Sequence, residues 1–202
     1  MQWDNAALIR VAPGRPAGRW VAERGRIGGM YVIKERFFDV GDDFDITDDA
    51  GQKVFHVDGK VLSVRGRLVI EDLAGREVAS VHRQLVALRR TYTITIGGEK
   101  AAEVRKKLFT PFRESFTIDV PGPDDLEMKG NLLDHEYTIE RGGVEVATVS
   151  KRWLTIRDTY AVQVADGVDP LLVVGSVLAL DLALERDERK QEKKKQDRDE
   201  RE

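Results

Sequence analysis

Hydrophobic and polar positions alternate along this chain in a pattern that returns every two dozen residues. Glycines at 51, 75, 98, 122, 143 and 167 are spaced by 24, 23, 24, 21 and 24 residues. Several sit in turn sequences, among them DDAGQ, DLAGRE, IGGEK, VPGPDD and ERGGVE, where glycine suits a tight connection between strands. Counting onward from each of the first five, the fourth residue is Phe55, Ala79, Ala102, Leu126 or Ala147. The sixth is Val57, Val81, Val104, Met128 or Val149, and the tenth is Val61, Leu85, Leu108, Leu132 or Trp153. The fifth (His56, Ser80, Glu103, Glu127, Thr148) and the seventh (Asp58, His82, Arg105, Lys129, Ser150) are polar throughout. Period-two alternation of this kind marks a strand with one buried face. A second strand follows in each unit: RLVIED, TYTITI, ESFTID, HEYTIE and TYAVQV. With YVIKERFF and DFDIT ahead of them, the pattern predicts a mainly β chain of about twelve strands. A propeller blade needs about twice the repeat length, and a solenoid needs stricter spacing and distinct caps.

The last apolar run breaks the pattern. Leu171 to Leu184 is apolar almost throughout, 14 residues that include Asp181. A membrane-spanning helix needs about 20 apolar residues, and a charge at depth is costly. A helix that is apolar on all sides is otherwise one buried on all sides. Among β-hairpins the place that surrounds a helix is the inside of a closed barrel, which also removes exposed sheet edges. The small inward residues Ala79, Ala102 and Ala147 leave room for it. The expected fold is a closed antiparallel barrel around a buried helix at about 170–185, within a domain at 30–185.

Three segments resemble the LURP-one-related family of the tubby C-terminal-like superfamily. They are MYVIKERFFDVGDDFDITDDAG at 30–51, LLDHEYTIERGGVEVATVSKRWLTIRDTY at 132–160 and VADGVDPLLVVGSVLALD at 164–181. The resemblance covers residues 30–185 and implies a closed barrel threaded by a central helix, with a relation to phospholipid scramblases. It implies no established reaction. Tubby-type members bind phosphoinositide head groups through basic residues, and none of those residues is carried over onto this chain.

Charge changes the picture at the two ends. Residues 1–29 hold five arginines against Asp4 and Glu23 and have no apolar run long enough for a secretory signal. They read as a disordered extension, or as sequence ahead of a true start at Met30. Residues 186–202 read as a solvated helical or disordered tail. From Glu185 to Glu202, 16 of 18 residues are charged, eight of each sign. Removing the +3 of the first 29 residues and this neutral tail from the total of −3 leaves the middle of the chain at −6. An acidic middle argues against nucleic-acid binding, which relies on clustered basic charge. The absence of cysteine excludes disulfide stapling, thiol catalysis and thiolate metal sites, and fits a cytoplasmic setting.

The residues with chemical potential are mostly basic. The eighth residue after each glycine is Gly59, Arg83, Lys106, Gly130 or Lys151, and by parity it shares the inward face. Arg83, Lys106 and Lys151 therefore point toward the helix or one barrel mouth. There they would either pair with Asp181, the lone acid of the apolar run, or hold an anion. Arg89, Arg90, Arg113 and Arg157 recur further along the repeat and suggest a basic rim for phosphate or lipid head groups. The acids at 39, 42, 43, 45, 48 and 49 lack the glycine and glutamate spacing of a calcium loop. Asp134-His135-Glu136 sets an imidazole between carboxylates, but no serine or cysteine stands in a recognisable nucleophile setting. No phosphate loop, dinucleotide fingerprint or zinc spacing occurs, so no cofactor or metal is expected. The expected function is a non-enzymatic binding or scaffold module for an anionic lipid head group or small molecule. The alternative is a membrane-active, scramblase-like lipid protein.

Overall fold

A computed structural model describes residues 27–34, 43–59, 67–84, 91–106, 116–122, 125–152 and 159–199. Twelve strands form in chain order: β1 (Ile27–Lys34), β2 (Phe44–Asp48), β3 (Lys53–Asp58), β4 (Arg67–Glu71), β5 (Glu77–Arg83) and β6 (Thr91–Ile96). They continue as β7 (Glu99–Lys106), β8 (Phe116–Asp119), β9 (Leu126–Asn131), β10 (Glu136–Arg141), β11 (Val144–Ser150) and β12 (Thr159–Ala165). Each pairs antiparallel with its chain neighbours, and β1 pairs with β12 to close the barrel. The strand begins at Ile27, so the boundary drawn at residue 29 moves back into the extension.

The repeat seen in the sequence is a structural repeat. In four hairpins the register slips by one residue near the turn, leaving Val54, Val78, Ala101 and Val146 without a direct cross-strand partner. Each is the third residue after its glycine, so these four units carry the same bulge, while β8 and β9 pair without one. A bulge bends a strand and raises its twist, as barrel closure requires. The turns repeat too. Asp48 Oδ1 accepts from the amides of Ala50 (3.0 Å) and Gln52 (2.8 Å). Asp72 Oδ1 does the same for Ala74 (2.9 Å) and Arg76 (3.0 Å). Gly75 completes its turn at φ +72°, a region open to glycine at little cost.

After β12 the chain turns at 166–169 and enters α1 (Pro170–Asp199). Asp169 caps it, its Oδ1 accepting from Leu171 N at 2.9 Å, and Pro170 takes the first helical position, where no amide partner is needed. Every residue from Val173 to Leu184 is buried, whichever way it faces. The one hydroxyl in this stretch, Ser176, donates to the Leu172 carbonyl at 2.7 Å. α1 runs nearest β5, β6 and β7. Gly175 makes this approach feasible, since a Cβ there would stand 3.0 Å from Ile94 Cγ2. Leu171, Val173, Val174, Val177, Leu178 and Leu180 are each at most 4% exposed. At about 1.5–3 kcal/mol per buried side chain, these six contribute on the order of 10 kcal/mol, comparable to the whole net stability of a domain.

The barrel therefore has two unlike ends. The tight glycine turns and the entry of α1 share one end, here the turn end. The strand ends at Lys34, Asp58, Arg83, Lys106, Asn131 and Ser150 lie at the other, where α1 leaves.

Candidate functional site at the helix exit

The inward phase of each unit runs out at this exit end. On β5, Ala79 and Val81 are buried and Arg83 follows them on the same face. Arg83 is half-buried, and its Nε is shut off from solvent without a hydrogen-bond partner. On β7, Lys106 follows Ala102 and Val104, and its Nζ stands 5.9 Å from the centre of the buried Phe116 ring. Lys151 follows Ala147 and Val149 past the end of β11 and is half-buried. The structure thus brings the three predicted cations to one end of the barrel. Arg89, Arg90, Arg113, Arg157 and Trp153 fall outside the described residues.

Asp181 is buried at the same end, 8% exposed, but its partners are not the predicted ones. Its carboxylate accepts from the Tyr160 hydroxyl at 2.5 Å and lies 3.0 Å from His135 Nε2. The expected pairing with Arg83, Lys106 or Lys151 is corrected accordingly. Parity assigned those cations to the right end, while the helix turns Asp181 toward the β9–β10 connection and the start of β12. The His135 ring stacks on Tyr160, with centroids 4.2 Å apart and planes at 19°. His135 adopts φ +52°, the only left-handed non-glycine among the described residues. Such a conformation persists where its surroundings over-determine it, and here the carboxylate and the stacked ring do so. Tyr137 is buried beside them, and burial together with the Asp181 charge pushes its hydroxyl well above the usual phenol range. Its Oη has no hydrogen-bond partner.

Glu136, next to His135, reaches the chain just after β11. Its Oε1 accepts from Ser150 Oγ (2.9 Å), the Lys151 amide (3.1 Å) and the Arg152 amide (3.3 Å). Its Oε2 lies 3.0 Å from Ser150 Oγ and 3.5 Å from Arg152 Nε. In the DHE triplet His135 holds the helix and Glu136 holds the strand end. Sequence reasoning missed both partnerships, because each joins residues far apart in the chain. The available signal was that a histidine and a glutamate stand side by side at a connection facing the exit.

A second charged cluster lies on the outer wall. Lys100 Nζ donates to Glu103 Oε1 at 2.5 Å, and Arg105 pairs with both Glu103 and Asp119. The Lys100 and Arg105 bonds hold the Glu103 carboxyl down at about 2. A groove of about 340 Å³ opens here between Lys100–Arg105 and Asp119–Pro121. Its cations are already matched by its acids, so it offers no net charge to a ligand. Among the described residues no group of three histidines or acids could hold a metal, and no helix is long and apolar enough to cross a membrane.

Comparison with known proteins agrees with this architecture. The LURP-one-related family pattern matches residues 30–181, three quarters of the chain. The chain belongs to the LURP-one-related family. The match ends at Asp181, so the family segment stops where the carboxylate meets His135 and Tyr160. The chain is 32% identical over 156 residues to the uncharacterized protein YxjI of Bacillus subtilis (strain 168), covering 77% of this chain and 94% of that one. It is 28% identical over 172 residues to Protein LURP-one-related 6 of Arabidopsis thaliana, covering 75% and 87%. A crystallographic structure of another Arabidopsis thaliana protein superimposes with a TM-score of 0.56 at 17% identity, covering 78% of this chain and 93% of that one. That likeness speaks to the fold alone. None of these family names carries an enzymatic activity.

Proposed function

We propose that this LURP-one-related chain is a non-enzymatic binding module whose exit end takes up an anionic group, the phosphate of a lipid head group or of a small molecule. The observation that carries the reading is Arg83. A guanidinium Nε buried without a partner costs stability, about 1–3 kcal/mol for an unsatisfied buried donor, and an anion would relieve it. Lys106 and Lys151 end their strands at the same mouth and add to the attraction. Arg89, Arg90, Arg113 and Arg157 recur along the sequence repeat, and the proposal includes them as a rim. A cytoplasmic residence is part of the same reading, since a chain without cysteine is suited to a reducing compartment. The scramblase-like alternative draws less support: the apolar half of α1 is enclosed by the barrel and is not available to lipid.

Co-sedimentation of the full chain with vesicles tests this. Vesicles of phosphatidylcholine alone should leave the protein in solution, and vesicles containing phosphatidic acid should bring it down. Arg83→Gln should weaken that binding several-fold, whereas Arg76→Gln, at the turn end, should not. Failure of the native chain to sediment with anionic vesicles and to bind free phosphate, or equal loss in both variants, would refute the reading.

A further inference from the structure

We infer that the chain segment Ser150–Arg152 is a phosphate-binding nest whose present occupant is the carboxylate of Glu136. This rests on the anion-binding reading above and gives that mouth a specific set of donors. Two successive backbone amides, Lys151 and Arg152, converge on a single oxygen at 3.1 and 3.3 Å, the Arg152 amide being shared with Ser150 Oγ at 3.1 Å. The Ser150 hydroxyl lies within 3.0 Å of both oxygens, and Arg152 Nε stands 3.5 Å from the second. Consecutive amides that point into one concavity, joined by a hydroxyl and a guanidinium, form an anion site. Ser150 is 3% exposed, so the floor of the nest is part of the barrel wall. Arg152 is 81% exposed on its side chain and free to close over a larger anion. A carboxylate has the charge of a phosphate monoanion and two of its oxygens, so Glu136 serves as a stand-in ligand.

The stand-in sets the affinity. An outside phosphate must compete with a tethered carboxylate, so its apparent dissociation constant rises by the inverse of the fraction of time the nest is open. Glu136 is also adjacent to His135, which holds Asp181 of α1. Displacing Glu136 therefore acts on the connection that fixes the helix exit, so occupancy of the nest and seating of the helix are linked.

The test is a phosphate titration of the full chain, followed by the amide resonances of Lys151 and Arg152. Glu136→Gln should bind inorganic phosphate at least about tenfold more tightly than the native chain. Adding Ser150→Ala to that variant should remove most of the gain, which general relief of negative charge would not explain. Should Glu136→Gln fail to fold, Arg152→Glu in the native chain serves instead, and it should weaken phosphate binding at the same amides. A parallel arm with phosphatidic acid vesicles separates the sources. A gain in both arms assigns the nest to a lipid head group, and a gain with free phosphate alone assigns it to a small phosphorylated ligand. Equal phosphate affinity for a folded Glu136→Gln and the native chain, or a gain that survives Ser150→Ala, would overturn the nest. If the native chain still sediments with anionic vesicles through Arg83, the mouth survives while the nest falls. If it does not, both fall.

Discussion

The two halves of α1 are one continuous helix held by opposite physics. From Leu171 to Leu184 the side chains are almost uniformly apolar and enclosed by the barrel. Here tertiary packing holds the helix, and its even hydrophobicity would be a liability anywhere outside a closed wall. From Glu192 to Asp199 every residue is exposed, and no apolar face exists to dock on anything. Charges such as Lys193 and Asp197, or Lys195 and Asp199, stand four apart, and such pairs stabilise a helix by a few tenths of a kcal/mol each. The inner half is thus the core of the domain, and the outer half is a local structure with little hold on the rest. Asp181 stands near the border, where the barrel supplies Tyr160 and His135 as partners for a charge it could not otherwise bury.

Perturbations along the helix should therefore fall into a ranked series. Leu178→Ala, at a position with no exposure, should lower stability by about 2–5 kcal/mol in a denaturant melt. Asp181→Ala should follow closely, at about 3 kcal/mol, because it leaves the Tyr160 hydroxyl and the His135 imidazole buried without their acceptor. An Arg83→Ala, Asp181→Ala double-mutant cycle should show no coupling energy beyond the sum of the single losses, in keeping with partners other than Arg83 for Asp181.

Off the helix, Glu103 gives a milder, pH-dependent effect. Its carboxyl is held at about 2 in the fold against 4.5 ordinarily, so its contribution is complete above about pH 4.5. The contribution is lost as pH falls from there to 2, since protonation then breaks the bonds to Lys100 and Arg105. With both partners well exposed, the amount should be about 1 kcal/mol, seen as an acid-limb slope that Glu103→Gln removes. Smallest of all should be Lys194→Glu in the outer half, within about 0.5 kcal/mol of the native melt.

What the sequence made legible was whatever repeats. Alternation counted from Phe55, Ala79, Ala102 and Ala147 assigned the inward face correctly because the bulges at Val54, Val78, Ala101 and Val146 fall just before those positions. The closed barrel and its central helix followed from an apolar run with no amphipathic side. The exit cluster was only half legible. Parity is a property of one strand, so it could place Arg83, Lys106 and Lys151 at one end. Which residue meets Asp181 depends on the rotation of α1 inside the wall, and that is set by packing such as Gly175 against Ile94. The left-handed turn at His135 carries little local signal either, and the partners of its ring, Asp181 and Tyr160, lie far along the chain.

Amide hydrogen exchange along α1 tests the contrast between its halves most directly. Amides from Val174 to Leu184 should exchange only through global opening, with protection equal to the stability of the barrel. Amides from Lys193 to Asp199 should exchange by local fraying, orders of magnitude faster, with the change of regime falling between Leu184 and Glu192. Uniform protection along the whole helix, or fast exchange at Val177 and Leu178 in a folded barrel, would contradict a helix whose inner half is the core of the domain.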